Sequence, residues 1–312
     1  MVESQQTLPP TSYDDEIDLR ELFRVLWAGK WLIGGITLAT AVIAVIIALM
    51  LPNIYRAEAL LAPNVQEGAS GLSALASQYG GLASLAGINI GDGAAGKTTL
   101  GLEILKSRKF ISGFIERHDI MVPLMAAKGW DAESGELVID PHSYDLASGK
   151  WVRRVSPPKK VIPSFQEAYD VFMDILSVDQ DKKTGFVTIA VEHYSPSVAK
   201  QWADWLIEDL NSVILRQDVA EAEQAIDYLQ KQIDSTPLAG LRDVFFRLIE
   251  EQTKTIMLAK VSDEYVFKTI DPAILPEEES RPKRLLVVLL AAIIGVFAGL
   301  TIVGVMNKRK SI

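Results

Sequence analysis

Two stretches of the chain carry no charge: "WLIGGITLATAVIAVIIALML", Trp31 to Leu51, and "LLVVLLAAIIGVFAGLTIVGVM", Leu285 to Met306. Each is about 20 residues long, enough for a helix to cross a hydrocarbon layer roughly 30 Å thick. Uncharged helices of that length are rare in soluble cores, so both are expected to span a membrane. Asp14, Asp15, Glu16, Asp18 and Glu21 precede the first stretch. A signal peptide opens with a short basic region and has a shorter apolar core, so this segment reads as a retained anchor.

The pattern between the two stretches is mixed. "NIYRAEALLAP", Asn53 to Pro63, alternates and predicts a strand. Gly68 to Gly96 is rich in Gly, Ser, Ala and Leu and predicts weak helical pieces broken at Gly80, Gly81 and Gly87. Leu102, Leu105, Phe110, Phe114 and Ile115 place one amphipathic helix from Thr98 to His118. Trp130 to Pro163 is rich in turn formers and predicts a hairpin or loop, with "ELVID" and "KWVRRV" as its alternating pieces. Ser164 and Glu167 form a capping box for a helix to about Leu176. "LSVDQDKKTGFVTIAVEHY" predicts a hairpin turning near Lys183 to Gly185. Ser195 and Pro196 then open a helix with no break before Pro237, about 40 residues or roughly 60 Å. Its two ends carry apolar faces (Val198, Trp202, Leu206, Leu210, Val213; Ile226, Leu229, Ile233), while Arg216 to Gln224 is polar. A helix with such a middle is expected to project outward or pack beside a copy of itself. A further helix is expected over Leu241 to Ala259, and "YVFKTIDPAILP" as a strand with a proline-rich exit.

Composition narrows the function classes. The 312 residues include no cysteine, which excludes disulfides, thiolate metal sites and cysteine nucleophiles. The net charge of −9 provides no basic footprint for nucleic acid. A mean hydropathy of +0.18 with 23% charged residues fits a soluble domain joined to a few very apolar segments. Arg20, Arg24 and Lys30 lie before the first span, with only Arg56 shortly after it. The positive-inside rule then places the N-terminus in the cytoplasm. The basic residues around the second span, Arg281, Lys283, Arg284, Lys308, Arg309 and Lys310, do not discriminate, but two spans return the C-terminus to the same side. The expected boundaries are a cytoplasmic segment 1–30, a span 31–51, a domain beyond the membrane 52–284, a span 285–306 and a cytoplasmic tail 307–312.

Candidate chemistry is sparse. "GDGAAGKT", Gly91 to Thr98, fits the phosphate-loop pattern G-x-x-x-x-G-K-[ST]. The pattern functions when a buried strand leads in and a helix begins at the lysine. "YGGLASLAGINI" is too glycine-broken for that strand, and only Asp179 offers itself as the acidic partner for magnesium, so a flexible loop entering a helix is the expected reading. His118, His142 and His193 are scattered without metal-ligand spacing and read as surface or helix-end residues. Asp14 to Asp18 suit the N-terminus of a helix beginning near Ile17. Trp202 lies in the apolar stripe of the long helix; Trp205 suits the core or another subunit. Gly295 and Gly299, with Gly304 beyond, form a small-residue pattern in the second span that permits close helix approach, and Gly34-Gly35 is a candidate matching surface. Arg216, Asp218, Glu221 and Glu223 on the long helix are candidate subunit contacts. No catalytic, cofactor-binding or metal site is expected.

The lead "EIDLRELFRVLWAGKW" into the first span, the stretch "LASLAGINIGDGAAGKTTLGLEILKSRKF" from Leu82 to Phe110, and the prolines Pro272, Pro276 and Pro282 before the second span resemble the chain-length determinants, or polysaccharide co-polymerases, of bacterial surface polysaccharide synthesis. The resemblance covers nearly the whole chain and lies in order and spacing. It implies an α+β protein: two transmembrane helices flanking a periplasmic α/β domain with a long extended helix, in the bacterial inner membrane. It implies a homo-oligomeric ring beside the polysaccharide polymerase that sets the length of a lipid-linked, O-antigen-like polymer without bond chemistry of its own. The lipid-linked polysaccharide is a further candidate partner. Related proteins carry or work with a tyrosine kinase; here only "NKRKSI" follows the second span, with no tyrosine cluster. Two alternatives stand beside this reading: an inner-membrane adaptor for polysaccharide export, and an enzyme using Gly91 to Thr98 as a phosphate loop.

Overall fold

The computed structural model describes Trp27 and residues 29–64, 93–235, 237–262 and 264–310. The acidic lead at 14–18 and the glycine-rich run from 68 to 92 lie outside the described residues. The chain divides into two compact units, Met1–Leu51 with Pro282–Ile312, and Pro52–Arg281.

Helix α1 (Lys30–Met50) is the first apolar segment. Strand β1 (Tyr55–Pro63) buries Ala57, Ala59 and Leu61 at alternate positions, the period of a strand with one covered face. Three helices follow: α2 (Gly93–Lys106), α3 (Arg108–Arg117) and α4 (Met121–Met125). The single helix expected from Thr98 to His118 is therefore broken. Ser107 adopts extended backbone (φ −72°, ψ 145°), and its hydroxyl accepts from the Phe110 N–H at 3.2 Å as the N-cap of α3. A serine offers this local alternative to the helix, and apolar spacing does not register it.

Four short strands come next: β2 (Ala127–Trp130) with β3 (Leu137–Ile139), and β4 (Tyr144–Asp145) with β5 (Lys150–Trp151). There are thus two small hairpins where composition suggested one. Helix α5 (Phe165–Ile175) carries the expected capping box, with Glu167 N–H donating to Ser164 Oγ at 3.2 Å and Ser164 N–H to Glu167 Oε1 at 3.3 Å. Arg153 adds two bonds to the same carboxylate, at 2.9 and 3.0 Å. That guanidinium, with help from the Ser164 N–H, holds the Glu167 carboxyl at about 2.

Strands β6 (Leu176–Gln180) and β7 (Val187–His193) form the expected hairpin. Its turn, Asp181-Lys-Lys-Thr-Gly185, repeats the pattern of Asp131-Ala-Glu-Ser-Gly135 and Asp145-Leu-Ala-Ser-Gly149 in the small hairpins. Each aspartate accepts the N–H two residues on, at 2.8, 3.1 and 3.1 Å respectively. Each closing glycine has positive φ, at 76°, 73° and 65°, and donates to the aspartate carbonyl. Glycine fits there because a side chain would strain that backbone.

Helix α6 (Pro196–Ser235) runs 40 residues, then α7 (Ala239–Lys260), strand β8 (Phe267–Asp271) and α8 (Arg284–Lys310) complete the order. The main sheet is antiparallel in the order β6-β7-β1-β8. Its central pair runs from Tyr55 opposite His193 to Leu61 opposite Val187. The first part of α6 packs on β1 and β7. Trp202, Leu206 and Leu210 are buried there in one core with Phe114, Phe172, Leu61 and Ile189. Trp202 lies against Phe172, centroids 5.9 Å apart, and Phe172 meets Phe114 edge-on at 5.4 Å. An antiparallel bridge at Ile54 and Arg281 joins the chain's entry to this unit to its exit: Ile54 N–H donates to the Arg281 carbonyl at 2.9 Å, and Ser280 N–H to the Ile54 carbonyl at 2.8 Å.

In the other unit α1 and α8 pack together, and both are long and apolar enough to cross a membrane. The contact is set by glycines. A Cβ on Gly299 would lie 2.9 Å from Ile33 Cα, and one on Gly295 would lie 2.9 Å from Thr37 Cα and overlap the Thr40 hydroxyl. Gly34, Gly35 and Gly304 have nothing within 4 Å of such an atom. Within the chain, the surface that receives Gly295 and Gly299 is therefore Ile33, Thr37 and Thr40, not Gly34-Gly35. Both threonine hydroxyls bond back to their own helix, Thr37 to the Ile33 carbonyl at 2.8 Å and Thr40 to the Thr37 carbonyl at 2.9 Å. A satisfied hydroxyl can sit in an apolar contact.

Candidate interaction surface on the long helix

Three polar anchors fix α6 to the rest of its unit. Asn211 is the most buried of them, at 3% exposure. Its Oδ1 accepts the Val266 and Phe267 N–H groups at 2.8 and 3.0 Å, and its Nδ2 donates to the Phe267 carbonyl at 3.1 Å. The amide thus serves as a partner strand for the start of β8. Two residues earlier, the Asp209 carboxylate takes His118 Nε2 at 2.9 Å and the Arg117 guanidinium. His118 also stacks on half-buried Trp205, centroids 4.2 Å apart. Trp205 therefore meets the end of α3 within its own chain.

The third anchor joins residues that the sequence had placed in unrelated motifs. Asp218 accepts from Lys97 Nζ at 2.8 Å and from the Tyr265 hydroxyl at 2.7 Å, and the lysine lies over the Tyr265 ring at 5.4 Å. Burial, reinforced by the Asp218 acceptor, pushes the Tyr265 phenol well above its ordinary pKa. Lys97 is the lysine of the phosphate-loop pattern. Residues 93–98 of that pattern already lie inside α2. The segment is helical rather than a loop wrapped around a phosphate, and the lysine is committed to Asp218.

His193 lies in the core rather than at a surface or helix end. Ser195 N–H donates to its Nδ1 at 3.2 Å, which leaves Nε2 to donate to the Pro123 carbonyl at 3.2 Å. This pattern fits the neutral ring, and burial lowers its pKa to about 4. Above pH 6.5 both folded and unfolded chains are neutral there. As pH falls from 6.5 to about 4 the unfolded chain takes up a proton and the folded one does not, so stability is lost, by roughly 3 kcal/mol. Glu167 adds a lower window, from 4.5 towards about 2, as its carboxylate is protonated. Melting of the detergent-solubilised chain is expected to drop between pH 6.5 and 4 and to flatten in His193→Gln. A wild-type profile flat over that window would remove the neutral-histidine assignment.

Between and beyond the anchors one side of the helix is exposed. Arg216, Glu221 and Glu223 are exposed: Arg216 donates to Ser212 Oγ at 3.1 Å, and Glu221 accepts from Gln217 at 3.0 Å. Asp218 differs from these three in bonding to residues outside α6, Lys97 and Tyr265. Helix α7 packs along α6 yet keeps a second apolar stripe in the open, Leu241, Val244 and Leu248 at 46, 48 and 39% exposure. Positions i, i+3 and i+7 share one helix face, the signature of a face that meets another surface. The sequence reading placed a helix here but did not single out this face. Among the described residues, no three His, Asp or Glu side chains gather at metal-binding range.

The chain thus has two apolar helices, one in each terminal region, and between them in sequence an α/β unit that carries a long helical hairpin. Residues 15–118 match the family model of the chain length determinant protein, Wzz. The resemblance to the chain-length determinants is established for that third of the chain, which includes the lead into the first apolar helix and the Leu82 to Phe110 stretch. The prolines before the second apolar helix lie outside it. No curated protein matches the chain. Similar solved structures include a full-length bacterial polysaccharide co-polymerase, 13% identical, covering 94% of this chain and 99% of that one with a TM-score of 0.39. Another is a fragment of WzzB, a polysaccharide co-polymerase from Salmonella Typhimurium, 11% identical, covering 73% of this chain and 99% of that one with a TM-score of 0.32.

Proposed function

We propose that the chain regulates the length of a lipid-linked surface polysaccharide, acting as an assembly of copies beside the polymerase and forming no bonds in the polymer itself. It does so from the bacterial inner membrane, with both termini in the cytoplasm and the unit Pro52–Arg281 in the periplasm. The family match supports the polysaccharide role. The single structural observation that carries the assembly is the open apolar stripe Leu241, Val244 and Leu248 on a hairpin built on a 40-residue helix. A soluble surface does not ordinarily leave such a stripe in water. Arg216, Glu221 and Glu223 on α6 would set the register of neighbouring copies, a role suited to exposed charges, which steer more than they bind. Gly295 and Gly299 hold the two apolar helices together, and Gly304 offers a further close-approach position for a neighbouring copy.

The test is an electrophoretic ladder of surface polysaccharide from cells with and without the gene. Collapse of a preferred-length cluster into a broad spread supports the reading. Loss of all polymer would instead make the chain an export adaptor, and an unchanged ladder would overturn both.

A further inference from the structure

One concave site lies beside the start of the long hairpin. It is a cavity of about 270 Å³ lined by Tyr55 at the start of β1, Trp130 at the end of β2, Ser197 in the first turn of α6, and Leu275, Pro276 and Glu277 beyond β8. The Tyr55 and Trp130 rings meet edge-on, centroids 5.6 Å apart. The indole Nε1 of Trp130 is buried and has no hydrogen-bond partner among the described residues. A tryptophan whose body packs ordinarily finds an acceptor for that N–H, so its lack of one needs an explanation.

We propose that this pocket seats a single neutral pyranose ring of a saccharide. A pyranose has two apolar C–H faces and a rim of hydroxyls. The pocket has the matching inventory: two aromatic rings with a leucine and a proline for the faces, and for the rim a carboxylate and the Ser197 hydroxyl, which also pairs with Ser195 Oγ at 2.8 Å. Its volume lies at the small end of ligand sites, which run from about 300 Å³ upward, so it takes one ring rather than a length of polymer. Charge sets the class further. Glu277 lines the pocket and Glu278 and Glu279 follow it, all exposed, so an anionic sugar or a lipid phosphate meets repulsion while a neutral or amino sugar does not. A bilayer surface is the competing occupant, because Tyr and Trp favour lipid interfaces and Leu275 is 53% exposed. The concavity and the three glutamates favour the sugar.

The choice of probe rests on the chain-length reading, but the pocket does not. The chain has six tryptophans, so 5-fluorotryptophan labelling of the full-length protein in nanodiscs yields a small set of fluorine signals, with Trp130 assigned by Trp130→Phe. Short neutral oligosaccharides cut from the cell's own surface polymer are then titrated in. The expected result is a saturable shift of the Trp130 signal while that of core Trp202 stays put, with affinity weakened at least roughly tenfold in Tyr55→Ala and in Leu275→Asp. Leu275 is a surface position, so the second variant tests the site even if the first disturbs β1. A Trp130 signal that ignores the saccharide, or that moves only when neutral lipid is exchanged for anionic lipid, overturns the proposal. A responding Trp130 in a protein whose deletion leaves the polysaccharide ladder unchanged would overturn the chain-length reading and leave the pocket standing.

Discussion

Replacing Asn211 with leucine is expected to remove about 3–5 kcal/mol from the stability of the unit Pro52–Arg281, a large share of what a domain of ordinary stability has. The two side chains share one branched heavy-atom skeleton, so the loss is chiefly polar. Three backbone groups, the Val266 and Phe267 N–H groups and the Phe267 carbonyl, lose their partner together. The site is buried, so water cannot take the partner's place without opening the contact between α6 and β8. Each unpaired group costs about 1–3 kcal/mol, and neighbouring losses do not add in full. Asn211→Asp should fall between wild type and leucine, because it keeps the acceptor for both N–H groups while losing the donor. Melting of the full-length chain in mild detergent, with limited proteolysis near Phe267, reads the effect. A leucine variant that melts with wild type would mean that β8 does not depend on α6.

The second large effect is expected from Gly299→Leu. The added side chain meets Ile33 Cα at 2.9 Å from its first carbon onward. Backbone cannot step aside as a flexible side chain can, so the two apolar helices must separate or shift register, at a cost of about 3 kcal/mol. Gly304→Leu is the internal control. It adds the same bulk to the same helix with nothing within 4 Å, so the pairing of α1 and α8 should survive it. Chain abundance in membranes and melting in detergent should fall for Gly299→Leu and hold for Gly304→Leu. Equal behaviour of the two would contradict the packing described here.

Much of the fold was legible because its signals are local. The capping box at Ser164 and Glu167, the serine-proline start of α6 and the two uncharged stretches each state their structure within a few residues. The break at Ser107 was hidden because a capping hydroxyl leaves apolar spacing untouched. The small hairpins were hidden because strands of two to four residues have too few positions to show alternation, although the turn pattern Asp-x-x-[Ser/Thr]-Gly marks both of them and recurs between β6 and β7. The anchors of α6 were out of reach for a different reason. Asn211 and Val266 are 55 residues apart, and Lys97 and Asp218 are 121 apart. Side-chain pairing over such distances leaves no periodic trace in one sequence. His193 looked like one more scattered histidine; only its place in a buried strand shows its two ring nitrogens to be assigned.

The most direct test of the central claim is the polysaccharide ladder from cells that carry Val244→Asp in place of the wild-type chain at equal abundance. Val244 is exposed, so the variant should fold and reach the membrane. If copies assemble through the open face of α7 and thereby set polymer length, crosslinked oligomers should diminish and the preferred-length cluster should broaden or shift. A wild-type ladder from cells in which Val244→Asp no longer forms oligomers would contradict that account.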